Sequence, residues 1–253
     1  MIKTKFLVCL LLLFSVGKCF SQGNYGGGVD EENLHFGFSF QYIGAEYKVI
    51  KTDNWRVPFY ENGVKVTDSL TSIRSAVNPG FGIGFVSDLY ITPNLNLRFT
   101  PSLVFSDRVL DYQFSDKASH DQAGVQSPEG FTRRTVASTM ADFPLSLKLK
   151  SDRRNNFRAY LLAGAKYGID VASKKKADDK GEFAINKFLK NSKGILSYEV
   201  GIGFDLYFEY FKLSPEIKLS NSINSVLIRE DHPYSSPIDQ LFLRNFVFSL
   251  YFE

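Results

Sequence analysis

Three histidines, His35, His120 and His232, are the side chains of this 253-residue sequence best suited to moving a proton near neutral pH. Two of them have hydroxyls close by. The stretch DHPYSS (231–236) sets Ser235 and Ser236 beside His232, and Ser119 precedes His120. A histidine that activates a serine could cut or transfer a lipid acyl chain. That chemistry needs the base within hydrogen-bond reach of the hydroxyl and a third group to orient it. The spacing here demands neither, and both histidines fall in long polar connections where side chains are ordinarily solvated. No catalytic residue is therefore expected, and the chain reads as a non-enzyme. No phosphate loop, dinucleotide fingerprint, zinc spacing or calcium loop occurs, so neither a cofactor nor a metal is expected.

The other reactive side chains are the two cysteines, Cys9 and Cys19, and both lie in the first 21 residues. That segment has a positive start (Lys3, Lys5), an apolar run from Phe6 to Val16, and small residues at Cys19 and Ser21. This is the pattern of a secretory signal peptide cut before Gln22. Eleven apolar residues as a helix span about 16 Å, short of a bilayer core. A mature chain starting at Gln22 would be exported without disulfides or thiol chemistry. A net charge of +3 gives no support to nucleic-acid binding.

The elements that carry the remaining charged groups alternate strictly, with the period of a β-strand. In FRAYLLAGAKYGIDV (157–171) every odd position is apolar, while Arg158, Lys166 and Asp170 are even. In 195–208 the apolar set Leu196, Tyr198, Val200, Ile202, Phe204 opposes Glu199, Gly201, Gly203 and Asp205. Eight such segments can be drawn, near 34–48, 79–91, 95–114, 133–150, 156–172, 195–208, 211–224 and 239–252. Phase is lost near Ile43 and Asp107, where bulges or fraying are expected.

Short connections (ITPNLN, SDRRNN and the Glu209–Tyr210 region) alternate with long ones at about 49–78, 115–132, 173–194 and 225–238. This predicts an all-β fold, an eight-stranded antiparallel transmembrane barrel with short periplasmic turns and long extracellular loops. The chain then divides into a signal peptide (1–21), a flexible segment (22–33) and an outer-membrane barrel (34–253).

Volume decides which face points out. Eight strands leave an interior that side chains just fill. The Phe, Leu and Ile face would overfill it, so that face meets lipid. The other face supplies glycine and long charged residues, which predicts Asp88, Arg98, Lys148, Arg158, Lys166, Glu199, Asp205, Glu216 and Lys218 inside the lumen, paired with one another. In PGFGIGF (79–85) the glycines are expected to leave room for those side chains. Such a lumen leaves no channel of porin width. Arg244 falls on the lipid face and is expected near the outer interface. KKKADDK (174–180) reads as a solvated loop or as a contact for lipopolysaccharide phosphates. Trp55 and Tyr60 are expected at the membrane interface rather than on a recognition surface.

Three long stretches carry a family resemblance. They are PGFGIGFVSDLYITPNLNLRFTPSLVFSDRVLDY, ADFPLSLKLKSDRRNNFRAYLLAGAKYGIDVASKKK and YEVGIGFDLYFEYFKLSPEIKLSNSINSVL, with PYSSPIDQL near the end. Together they resemble the PorT family over most of residues 34–253. The resemblance implies an outer-membrane barrel associated with type IX protein secretion, with a role in the assembly or working of that machinery. The expected partners are outer-membrane lipid and lipopolysaccharide, and other secretion-system proteins. The resemblance brings no active-site residue. A structural or adhesive barrel and a lipid-acting enzyme are the alternatives.

Overall fold

The computed structural model describes residues 33–115, 130–171 and 183–253. The signal-peptide segment, both cysteines, nearly all of the 22–33 segment, His120 and the KKKADDK run lie outside the described residues.

The barrel is a closed ring of eight antiparallel strands. In chain order its members are β1 (Leu34–Lys51), β5 (Asn78–Thr92), β6 (Leu95–Phe99) with β7 (Ser102–Phe105), β10 (Thr139–Lys150), β11 (Phe157–Asp170), β12 (Gly194–Tyr207), β13 (Lys212–Ser222) and β14 (Ile238–Phe252). Each pairs with its neighbours, and β1 closes the ring by pairing with both β5 and β14. The stretches β6 and β7 are one stave interrupted at Thr100-Pro101, where proline has no N–H to give the ladder. The carbonyl of Pro101 still accepts from Phe85 N at 3.0 Å, so the interruption is bridged. Closure leaves no edge and satisfies the backbone without water.

At one end the staves are joined by tight turns: Pro93-Asn94, 151–156 and 208–211. Asn155, at φ 54°, takes the left-handed conformation that the second turn needs. The long connections gather at the other end, which is the extracellular one. The outer face is apolar. Phe36, Phe81, Ile83 and Phe85 are at least half exposed, an arrangement only lipid tolerates over so many staves.

Three neighbouring staves continue beyond the ring. Their extensions are β4 (Leu70–Ala76), which leads into β5, β8 (Arg108–Phe114), which follows β7, and β9 (Phe131–Val136), which leads into β10. They pair in the order β4-β8-β9, the same order as the staves below, and make a three-stranded extracellular sheet. Two sequence expectations are corrected here. The stretch 49–78 is not one loop: it holds β4 and a small hairpin of β2 (Tyr60–Glu61) and β3 (Val64–Lys65), turned by Asn62-Gly63 with both φ positive. The stretch 95–114 is not one strand, because the chain breaks at Ser106-Asp107 where it leaves the ring. At Ile43 there is no bulge: β1 stays in register with β14 up to Ile50, and Ile43 is simply an inward-facing position.

The inward face is therefore of two kinds. Toward the periplasmic end it is charged. Toward the extracellular end it is mainly apolar, through Ile43, Tyr47, Val104, Met140, Leu241 and Leu243, with Arg108 and Asp170 buried among them. The apolar side chains merge with Ile73, Leu110, Tyr112 and Phe114 of the extracellular sheet into one buried cluster. Above the charged layer the extracellular sheet, with Ile185, Leu189, Val226 and Tyr234 of the described loop residues, covers the lumen.

Candidate functional site: the filled lumen and its extracellular cap

Alternation puts every second residue of each stave in the lumen, and register decides which of them meet. Asp88 on β5 lies directly opposite Arg98 on β6. Nη2 and Nε of Arg98 donate to Asp88 Oδ2 at 2.8 and 3.1 Å. The same guanidinium reaches Glu216 on β13 (3.3 Å) and Glu253 just beyond β14 (2.8 Å). Lys148 on β10 pairs with Asp205 on β12 at 2.8 Å and lies 3.6 Å from Asp88. Lys212 holds the other oxygen of Glu253 at 2.7 Å.

A second layer stands on the first. The hydroxyls of Tyr160 and Tyr251 donate to the two oxygens of Glu216, at 2.9 and 3.2 Å. Lys218 lies between Glu216 (3.4 Å) and Glu199 (3.6 Å), and donates to the Tyr251 hydroxyl at 3.1 Å. Lys166 joins Glu199 (3.2 Å) to Asp142 (3.0 Å). The contacts run unbroken from Glu253 at the periplasmic mouth to Asp142. Each charge is buried, and each meets opposite charge, which removal from water requires.

Of the nine lumen charges read from the sequence, Asp88, Arg98, Lys148, Lys166, Glu199, Asp205, Glu216 and Lys218 are buried inside the ring and belong to this network. Arg158 is the exception in degree. It lies beside Asp205 in the β11–β12 register, at the periplasmic mouth, and is only half-buried. Sequence reading missed Asp142, Lys212, Glu253, Tyr160 and Tyr251. All five hold inward positions of their staves. The phase that singles out Lys148 also points to Asp142, and the phase of Glu216 and Lys218 points to Lys212.

The glycines of PGFGIGF do something other than make room for charge. A Cβ on Gly84 would lie 2.6 Å from the Pro101 carbonyl oxygen, and one on Gly80 2.6 Å from that of Phe105. These glycines let β5 and β7 come together inside a narrow, strongly coiled ring. Gly201 serves both ends: its Cβ would lie 2.8 Å from the Ile217 carbonyl oxygen and 2.8 Å from Lys218 Cγ.

The cap is held by its own contacts. The Tyr112 hydroxyl donates to the Tyr234 carbonyl at 2.7 Å, and the two rings meet edge to face at 5.2 Å. Burial pushes both phenols above their usual pKa range. Arg134 stacks over Tyr234 at 4.0 Å and donates to the Ile185 carbonyl. Trp55 is not a ring at the membrane interface. It packs half-buried against the extracellular cluster, with Lys51 Nζ 4.1 Å from its centre.

Two of the three histidines lie among the described residues. His232 is fully buried, and its Nδ1 accepts from Tyr234 N at 3.3 Å. Ser235 Oγ accepts from Glu230 N, and Ser236 Oγ donates to Asp231. His35 opens β1 on the lumen side, opposite Asp88 in register. Among the described residues no group of three or more potential ligands could hold a metal ion.

A closed ring with a lipid-facing exterior and a charged, roofed interior defines an integral outer-membrane β-barrel. The chain belongs to the outer membrane protein beta-barrel domain family, which matches residues 33–227. That membership places it in the outer membrane. No curated protein matches its sequence. Among solved structures, OprG from Pseudomonas aeruginosa is 12% identical with a TM-score of 0.43, over 87% of this chain and 93% of its own. Neisserial surface protein A is 11% identical with a TM-score of 0.39, over 87% and 98%. Ail of Yersinia pestis, in complex with the heparin analogue sucrose octasulfate, is 9% identical with a TM-score of 0.35, over 87% and 99%. Superpositions this loose bear on no functional point. The family and the ring itself carry the classification.

Proposed function

We propose that this barrel is a non-enzymatic outer-membrane component of the type IX protein secretion machinery, needed for its assembly or working and exported by a cleaved signal peptide. The PorT-like stretches of β5 to β8, β10 to β11 and β12 to β13 support this reading. The observation that gives it a mechanism is the lumen. An interior filled by the Arg98–Glu216 network and roofed by apolar side chains leaves no path for a folded cargo or a large solute. The barrel then acts through its surfaces, by offering the extracellular sheet, the loops or the periplasmic turns to other proteins of the machinery.

The test is the protein content of the culture medium and cell surface with and without the gene. Collapse of the exported set, restored by complementation, is expected. An unchanged set overturns the reading and leaves a structural or adhesive barrel. Altered acylation of lipid A or phospholipid in the deletion strain, reproduced by replacing His120 and His232, would instead indicate a lipid-acting enzyme.

A further inference from the structure

The apolar outer band ends abruptly on one sector of the barrel. Across β12, β13, β14 and β1, one row reads Val200, Leu219, Phe246 and Gly44. The next row toward the extracellular side reads Tyr198, Asn221, Arg244 and Glu46. One step further, Lys48 lies opposite Phe242. This change marks the level where acyl chains give way to headgroups.

A cleft of about 440 Å³ opens on that boundary, lined by Lys48, Tyr198, Leu219, Asn221, Phe242 and Arg244. Its lower part is hydrocarbon and its upper part carries donors. Arg244 is half exposed, and one of its amino groups lies 3.4 Å from Glu46. Lys48 is exposed on the same face and makes no ion pair among the described residues. Asn221 Nδ2 lies 3.3 Å from the Tyr198 hydroxyl, so a neutral hydrogen-bonding pair completes the row. Two cations above an apolar trough, on the outside of a barrel and at the outer-leaflet level, match the shape and charge of a phosphorylated lipid: acyl chain below, phosphate above.

We propose that this cleft binds a phosphate-bearing glycolipid of the outer leaflet, with Lys48 and Arg244 on the phosphate and Leu219 and Phe242 against the first acyl carbons. The site is independent of the secretion reading and stands or falls apart from it.

The test uses the full barrel in detergent, with lipid retention read by native mass spectrometry. The probes are bisphosphorylated lipid A and the same lipid A after enzymatic dephosphorylation. Lipid A is expected to be retained, and its dephosphorylated form about tenfold less. Lys48→Gln with Arg244→Gln should lose about tenfold for lipid A and nothing for the dephosphorylated form. Lys65→Gln with Arg133→Gln, which removes the same charge elsewhere on the exposed extracellular surface, should change neither. Glu46→Gln should raise lipid A retention, because it removes the carboxylate paired with Arg244. Unchanged heat-modified mobility establishes that each variant is folded. Equal retention of both lipids overturns the proposal, as does full retention by the double variant or an equal loss in the charge-matched control.

Discussion

Arg98 on β6 and Glu216 on β13 lie four staves apart whichever way the ring is followed, and their side chains meet at 3.3 Å. The pair spans the barrel's diameter. Arg98 also neutralises Asp88 and Glu253, so its removal leaves three buried carboxylates with one lysine each, Lys148, Lys212 and Lys218. Arg98→Met should destabilise the barrel by about 3–5 kcal/mol, the range for breaking a buried ion pair from one side. Urea titration of heat-modified gel mobility measures this. Adding Glu216→Gln should recover part of the loss, with a coupling of about 0.5–3 kcal/mol between the two sites.

Gly82 and Gly84 are both inward-facing glycines of β5, yet their neighbours differ. A methyl at Gly84 meets the Pro101 carbonyl oxygen, fixed in the ladder, at 2.6 Å, whereas at Gly82 nothing comes nearer than Val104 Cγ2 at 3.1 Å. Gly84→Ala should cost about 1–3 kcal/mol, as overpacking does. Gly82→Ala should cost visibly less, since its nearest neighbour is a side-chain methyl that needs to give only slightly. Equal losses in the same gel assay would contradict the close approach of β5 to β7.

The single tryptophan reports on the cap alone. Trp55 packs on the extracellular cluster, whereas gel mobility follows the ring. Leu110 is fully buried in that cluster, and Leu110→Ala should cost about 2–5 kcal/mol there. Trp55 fluorescence should then shift red at lower urea than in the wild type, while the ring unfolds at its usual concentration. Tyr112→Phe, which deletes the bond to the Tyr234 carbonyl, should do the same by about 1 kcal/mol. Simultaneous loss of both signals would mean that cap and ring form one cooperative unit.

Two unlike barriers fill the lumen in series, and this makes a prediction about current. The wild-type barrel in a planar bilayer should show no porin-sized conductance steps. Arg98→Met should show none either, because the apolar layer of Ile43, Val104, Met140 and Leu243 still lies above the damaged network. Large steps in the wild type would refute a closed interior.

Period-two alternation was enough to read the eight staves, their antiparallel order and the outward face of Phe81, Ile83 and Phe85. It was not enough for the height at which a stave leaves the membrane. The phase of 95–114 is lost near Asp107, but a bulge within the membrane and an exit from it leave the same mark there, because an inward apolar residue such as Leu110 looks the same in a sheet above the bilayer as in one within it. The β4 strand was illegible for a related reason: LTSIRSA is short and polar, and its partner β8 lies more than thirty residues away. Trp55 was misplaced because aromatic rings suit both a headgroup layer and a protein core, and only the fold around Val49 and Val66 separates the two. Asp142 and Lys212 were within reach of the phase argument. Tyr160 and Tyr251 were not, since a tyrosine hydroxyl reads as apolar until a carboxylate such as Glu216 is found beside it.

Some partners in the lumen meet within a hairpin, as Asp88 and Arg98 do across β5 and β6. Others are far apart along the chain: Arg98 and Glu216 are separated by 118 residues, Arg98 and Glu253 by 155. A single hairpin can therefore hold one pair, but the second and third carboxylates of Arg98 arrive only from β13 and the end of β14. The network is thus a closure device: it is complete only when the cylinder is complete, with β1 joined to β14.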